Sequence, residues 1–322
     1  MRYFAIVTAA LAVAALTACG GAVAPGEPLA LPSSPSRLPR PAESHFVVIV
    51  LENRELGEVL GSTSAPYINA LASKGVVETD YHAIAHPSLP NYIALLAGDP
   101  LGIETDCSDC HARGTTLVDQ LERAHIGWRA YMEGLPRPCY TGAGTGGYAK
   151  KHDPFLYFDQ IADNPVRCRR VVPLTRLAAD LRANALPAFA WISPNLCDDG
   201  HDCANANTDR FLAHLVPYLL AGLGPHGVLA IVWDEGTSDS GCCGRAAGGR
   251  VPLILAGPPV RAGSRVANPA DHYSLLALIE DAFGLPRLRG AACQCTPSLD
   301  AAFMSGAPPR LHAGPMDLEL RA

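Results

Sequence analysis

Residues 43–300 read as one α/β domain, a three-layer sandwich around a mostly parallel central sheet. Two features carry that reading. The strand-like runs are apolar throughout rather than alternating, as strands buried on both faces are. The stretches between them repeat apolar residues at three- and four-residue steps, as one-sided helices do. Continuous apolar strands separated by such helices imply a parallel sheet covered on both faces. A third feature marks where function sits: two strands run directly into pairs of oxygen-bearing side chains.

The elements follow in order. "FVVIVL" (46–51) is the first strand and stops at Glu52-Asn53. Helical spacing covers 66–75, 116–126 and 174–185. "AFAWIS" (188–193) is a strand, and a helix covers 209–223. "VLAIVW" (228–233) is a strand that stops at Asp234-Glu235, and "VPLILAG" (251–257) is another. A helix over 272–284 closes the set. Ligands of open α/β sheets gather beyond the carboxyl ends of the strands. Both polar endings therefore point to one rim.

Glu52, Asn53, Asp234 and Glu235 offer hard oxygen ligands, suited to a divalent metal ion such as Mg²⁺, Ca²⁺ or Mn²⁺. Zn²⁺ is the further option. At a single strand end such residues are often only solvated; repetition on two strands favours the metal. Ser88 lies between Pro87 and Pro90, ahead of a helix expected over Asn91–Ala97 and ended by Gly98. Two roles fit it. It can cap the helix, or it can act as a nucleophile at a helix end that attracts anions. After strand 188–193, Asp198, Asp199, His201 and Asp202 crowd between Cys197 and Cys203. They are an acidic surface loop, or they bring His201 to the site as metal ligand or proton donor. Lys150, Lys151 and His152 form a basic patch able to hold a phosphate, or an exposed one. His272 stands at the start of the last helix.

The N-terminus carries Arg2, an apolar run from Tyr3 to Leu16, and "LTAC" ending at Cys19. This resembles a bacterial lipoprotein signal, with residues 1–18 removed and Cys19 lipidated. Residues 19–42 hold Pro25, Pro28, Pro32, Pro35, Pro39 and Pro41 and read as an extended tether. Residues 301–322 read as a loosely ordered tail. The chain has 11 cysteines, and setting Cys19 aside leaves an even number, as expected of an exported, disulfide-bearing protein. Cys107/Cys110, Cys139/Cys168 and Cys197/Cys203 are plausible bridges, while Cys242, Cys243, Cys293 and Cys295 are placed to tie a late loop to the C-terminal end. A net charge of −6 with scattered basic residues excludes a nucleic-acid binder.

Seven blocks in order, "IVLEN", "AHPSLPNYIALLAG", "YMEGLP", "YAKKHDPFLYF", "WISPNLCDDGHD", "IVWDEG" and "DHYSLLALIED", resemble the bacterial phosphoesterase family of acid phosphatases and phospholipases C. The likeness is greatest to its short secreted acid phosphatases and spans about His45 to Leu288. It implies an alkaline-phosphatase-like fold. It also implies that Ser88 is the nucleophile, that His201 assists it, and that Glu52, Asn53, Asp234 and Glu235 hold the metal. His86, Asn91, Lys151, His152 and His272 are the expected substrate contacts. Arg54-Glu55-Leu56 departs from the family pattern, where Ser or His and an aromatic residue often follow the Asn.

The expected function is a metal-assisted phosphomonoesterase, anchored at the outer face of the cell membrane or secreted, working through a phosphoserine. Its substrate would be a phosphorylated small molecule or lipid head group such as a phosphoinositide. The alternatives are a phosphodiesterase of phospholipase C type, set apart by a bis-ester assay, and a catalytically inactive surface-binding lipoprotein. The intact set Glu52, Asn53, Ser88, Asp234 and Glu235 argues against the last.

Overall fold

The computed structural model describes residues 29–312. Its centre is an eight-stranded sheet: β1 (Phe46–Leu51), β2 (Val76–Glu78), β3 (Trp128–Met132), β4 (Val171–Pro173), β5 (Phe189–Ser193), β6 (Val228–Trp233), β7 (Leu253–Ala256) and β8 (Ser264–Val266). The spatial order is β8-β2-β7-β6-β1-β5-β3-β4. Only β7 runs against its neighbours, β6 and β2. The strand expected at 251–257 is therefore present but reversed in direction.

β1 is the middle of the sheet. It pairs in parallel with β6 along its whole length, Phe46 opposite Val228 and Leu51 opposite Trp233, and with β5 on the other side. Every residue of β1, β5 and β6 is buried, which is why these strands are apolar without alternation. The helices are α1 (Leu56–Val59), α2 (Pro66–Ala72), α3 (Ser88–Ala97), α4 (Leu117–Arg123), α5 (Asp159–Ala162), α6 (Thr175–Arg182), α7 (Asn205–Gly222) and α8 (His272–Phe283). α3 packs with α4 and α8, and α7 packs with α2 and α6.

Local chemistry sets several boundaries. Thr116 and Asp119 form a capping box at the start of α4. Asp271 and Ser274 do the same for α8, which Gly284 ends in the left-handed conformation. β3 escapes the periodicity because Arg129 interrupts its apolar run; the side chain reaches the buried carboxylate of Asp180.

Two segments differ from expectation. The stretch 29–38 is not a free tether. Leu38 is buried in the core, Leu29 and Leu31 pack on it, and Tyr218 of α7 donates to the Pro32 carbonyl at 2.6 Å. The start of the expected tail is also seated: Ala302 and Phe303 are buried, and Arg261 N donates to Ala302 O at 2.8 Å. Cys19 and residues 1–18 lie outside the described residues.

The bridges Cys107–Cys110, Cys139–Cys168 and Cys197–Cys203 are formed. The other four cysteines do not tie the late loop to the C-terminal end. Cys242 joins its neighbour Cys243, and Cys293 joins Cys295, each partner being the thiol closest along the chain.

Candidate active site

The two polar strand endings meet. Asp234 N donates to Leu51 O at 2.8 Å, Glu52 N to Asp199 O at 3.0 Å, and Arg54 N to Glu235 O at 3.2 Å. These bonds stitch the ends of β1 and β6 to the loop after β5. Asn53 turns the chain with φ 51°, a conformation Asn accepts more readily than most residues. Its backbone N–H then donates to Asp234 Oδ1 at 3.2 Å.

Ser88 is the first residue of α3, and Pro87 occupies the cap position without a side-chain bond. The helix thus starts three residues earlier than expected, and Ser88 does not cap it. Its Oγ stands 3.0 Å from Glu52 Oε2 and 3.0 Å from Glu235 Oε1. A hydroxyl has one proton, so either carboxylate can accept it. Tyr92, one turn along α3, donates to Glu52 Oε1 at 2.7 Å. Tyr92 was missed by the sequence reading, although its i+4 spacing from Ser88 puts both on one helix face.

The free N–H of Leu89 in the first turn of α3 is met by Asp106 Oδ1 at 3.0 Å. Asp106 Oδ2 takes Lys151 Nζ at 2.8 Å. Lys151 Nζ also lies 3.0 Å from His201 Nε2, while His201 Nδ1 lies 2.7 Å from Asp202 Oδ1. Lysine has no acceptor. His201 Nε2 therefore accepts from it, and Nδ1–H donates to Asp202. Lys151, His201 and Asp106 stand part-buried at the mouth.

His152 is buried rather than placed along a substrate wall. Its Nε2 comes within 3.1 Å of Glu52 Oε1 and its Nδ1 within 3.1 Å of Asp199 Oδ2. Neither approach has hydrogen-bond alignment, and His152 Nε2 and Asp199 Oδ2 are left without partners. Burial holds this ring well below the usual imidazole range, with Lys151 and His201 adding to the effect.

His86 Nδ1 contacts Glu235 Oε2, and Nε2 lies 3.1 Å from Ser238 O. Burial works against its charged form, but the hydrogen bonds to Glu235 and the Ser238 carbonyl, with the charges of Glu235 and Asp239, together outweigh it and the ring's pKa is raised. The ring is 32% exposed, so it borders the opening.

Two expected substrate contacts are corrected. Asn91 is fully buried, and its amide accepts from Ile84 N and Ala85 N and donates to Ala85 O and Pro87 O. All its capacity goes into shaping the loop before Ser88. His272 is fully buried, with Nε2 2.6 Å from Asp234 O and Nδ1 2.9 Å from Tyr81 OH. It props the backbone of Asp234 from behind, and burial lowers its pKa to about 4.

Arg54 and Glu55 brace the same rim. Arg54 donates to Asn53 O, Asn205 Oδ1 and Cys203 O at 2.7, 2.9 and 3.0 Å. Glu55 Oε1 accepts from Thr237 N, Ser238 N and Ser238 Oγ at 3.1, 3.0 and 2.7 Å, and Oε2 accepts from Arg250 N at 3.1 Å. Gly236 and Gly249 make room for it: a Cβ there would come within 2.3 and 2.7 Å of Glu55 Oε1. The departure from the family pattern at Arg54-Glu55 is thus an internal brace.

The carboxylates crowd one another at the rim. Burial drives the pKa values of Glu52, Asp199 and Asp234 well above the carboxylate range. The charge of Asp199 adds to the rise at Glu52, and those of Glu52 and Glu235 add to it at Asp234. Asp234 Oδ2 has no hydrogen-bond partner. Glu52, Asp234 and Glu235 each bring an oxygen within 4.8 Å of the others, and Glu52, His152 and His201 form a second such group. Three crowded carboxylates and an orphaned oxygen fit a divalent cation.

The chain matches the Phosphoesterase family over residues 61–286, a range that begins beyond Glu52. It is 30% identical over 264 residues to the phosphatidylinositol-3-phosphatase of Mycobacterium tuberculosis, covering 81% of this chain and 83% of that protein. It is 31% identical over 275 residues to the phosphate-repressible acid phosphatase of Penicillium chrysogenum, covering 80% of this chain and 64% of that longer protein. Among solved structures it resembles a member of the alkaline phosphatase superfamily from Vibrio parahaemolyticus, with a TM-score of 0.52 at 11% identity, covering 81% of this chain and 74% of that one. This last likeness concerns the fold, an α/β sandwich. With the family matched over most of its domain, the chain belongs to the Phosphoesterase family and is a phosphoric ester hydrolase.

Proposed function

We propose that the protein is a metal-assisted phosphomonoesterase that works through a phosphoserine at Ser88. One observation supports this most: the Ser88 hydroxyl lies 3.0 Å from both Glu52 and Glu235 at the start of a ten-residue helix. A divalent cation held by Glu52, Asp234 and Glu235, with the Asn53 amide beside them, would offset charge developing on the phosphoryl group.

Ser88 Oγ attacks phosphorus and gives its proton to one of the two carboxylates. The bond from phosphorus to the leaving oxygen breaks, and that oxygen takes a proton from solvent at the mouth, beside Lys151. Water then attacks the phosphoserine. When Lys151 turns from His201 Nε2 to the phosphate, that nitrogen, oriented through Asp202, takes a proton from the water and passes it to solvent. The Ser88–phosphorus bond breaks, and Ser88 regains its proton from the carboxylate. His86 holds Glu235 against the late loop, and Lys151 faces the phosphate with a positive charge.

A phosphorylated lipid head group is the substrate class this reading favours, supported by the mycobacterial relative named as a phosphatidylinositol-3-phosphatase. Attachment through Cys19 would hold the enzyme at the outer membrane surface, where such head groups are presented. The direct test is to trap the enzyme during turnover of a monoester and map the phosphate by mass spectrometry. Label at Ser88, with phosphoryl transfer to added glycerol, is the expected result. Label elsewhere, or full activity of Ser88→Ala, would end the proposal.

A further inference from the structure

The basic residues look scattered in the sequence, yet the fold gathers three arginines around one pocket. It lies at the β4 edge of the sheet and has a volume of about 540 Å³. Arg129, Arg169 and Arg176 line it, together with Thr175, Val172 and Pro173. None of these belongs to the catalytic rim.

The pocket is organised from beneath. Asp180 is 1% exposed. Its Oδ2 accepts from Arg129 Nη1 and from Tyr131 OH, and its Oδ1 accepts from Arg176 Nε at 2.8 Å. One buried carboxylate thus sets the direction of two guanidiniums and uses only one nitrogen of each. Arg169 makes no side-chain hydrogen bond among the described residues, so all its donors are available. Three guanidiniums against one carboxylate leave a local charge of +2 on a chain whose net charge is −6. The polar side chains of the lining are the three arginines and Thr175, and the other lining side chains are apolar.

We infer that this pocket is a second, non-catalytic site for a phosphate monoester. Guanidinium forks match phosphate oxygens in geometry. A phosphomonoester carries about 1.5 to 2 negative charges near neutral pH, which matches the local surplus. The apolar wall, Val172 and Pro173, accommodates the organic part next to the phosphate. The ligand is a soluble organophosphate or the phosphate head group of a lipid; the chemistry recognised is the same.

The test uses the full-length protein in detergent with excess chelator, which removes the cation from the catalytic site. Calorimetric titration with glycerol 3-phosphate should then reveal one saturable site. Arg169→Gln should weaken it by about tenfold, the loss of one charge-assisted contact. Arg169→Gln with Arg176→Gln should abolish it. Turnover of p-nitrophenyl phosphate with metal restored should be unchanged in both variants. Arg169 has no hydrogen bond to lose, so its single variant separates binding from folding. Co-sedimentation with phosphatidylcholine vesicles containing phosphatidic acid identifies the source. Vesicle binding that depends on Arg169 points to a head group, and soluble binding alone points to a free organophosphate. Absence of a saturable site in chelator, or unaltered affinity in the double variant, overturns the inference. Neither result bears on the Ser88 mechanism.

Discussion

Tyr92 donates to Glu52 Oε1 at 2.7 Å, while Ser88, one helical turn earlier, stands 3.0 Å from Glu52 Oε2. A single face of α3 thus holds both oxygens of a buried carboxylate. Ser88, the first helical residue, does not cap α3. Ser88→Ala should keep its fold and lose about 1–2 kcal/mol, since the bond to a buried carboxylate goes but no capping bond does. Turnover should fall by about 10³-fold or more. Tyr92→Phe should instead retain the nucleophile, lose about 1–2 kcal/mol, and cut turnover less. Denaturant melts and steady-state rates on the same preparations check both.

Chelation should abolish monoester hydrolysis, and adding back a divalent cation should restore it. Asp234→Asn removes a charge from the orphaned Oδ2 and should lower metal content and turnover together, on the order of 10²-fold in rate. Elemental analysis beside the assay decides this. Full activity of a metal-free sample would count against the site.

Glu55 reaches no substrate in the proposed mechanism, yet it gathers three donors on Oε1 and a fourth on Oε2. Its effect passes through Ser238 to His86 and Glu235. Glu55→Ala should lower kcat about tenfold or more and reduce the melting temperature. Glu55→Gln, which keeps one acceptor oxygen, should recover a good part of both.

Glu78 of β2 is fully buried, with both carboxylate oxygens unpartnered, and burial raises its pKa from 4.5 to about 8. The folded state therefore binds this proton more tightly than the unfolded chain. Below about pH 4.5 both states are protonated and no penalty exists. Between there and about pH 8 the unfolded chain releases the proton first, so stability falls as pH rises. Glu78→Gln removes the penalty. It should match the parent near pH 4 and exceed it by about 2–5 kcal/mol at pH 9. Urea midpoints at the two pH values provide the comparison.

Cys19→Ala should release the protein from membranes or stall its processing, read by fractionation and by the mass of the mature N-terminus.

What the sequence disclosed follows physical range. Glu52-Asn53 and Asp234-Glu235 stood out because each breaks an apolar strand at its end, and parallel neighbours bring such ends together. Ser88 stood out through its prolines. Asn91 was misread because its four bonds run to loop backbone whose path no spacing reveals. Asp106 escaped because it reaches Leu89 N from 17 residues away, just ahead of the Cys107–Cys110 bridge. His272 sat at a helix start as expected, but which side of Asp234 it approached depended on sheet geometry. β3 was hidden by Arg129, whose reason for lying in a strand is Asp180, 51 residues later.

The seating of Leu29 to Leu38 against α7 changes the reach of the enzyme. Ten residue steps separate Cys19 from Leu29. A lipid on Cys19 would therefore leave a leash of at most about 35 Å when fully drawn out. The catalytic rim would sweep a shallow layer above its own bilayer, and its working concentration would be set by the surface density of head groups there. A soluble ester in the bulk would meet the rim by ordinary diffusion, while a neighbouring lipid would meet it repeatedly before drifting away.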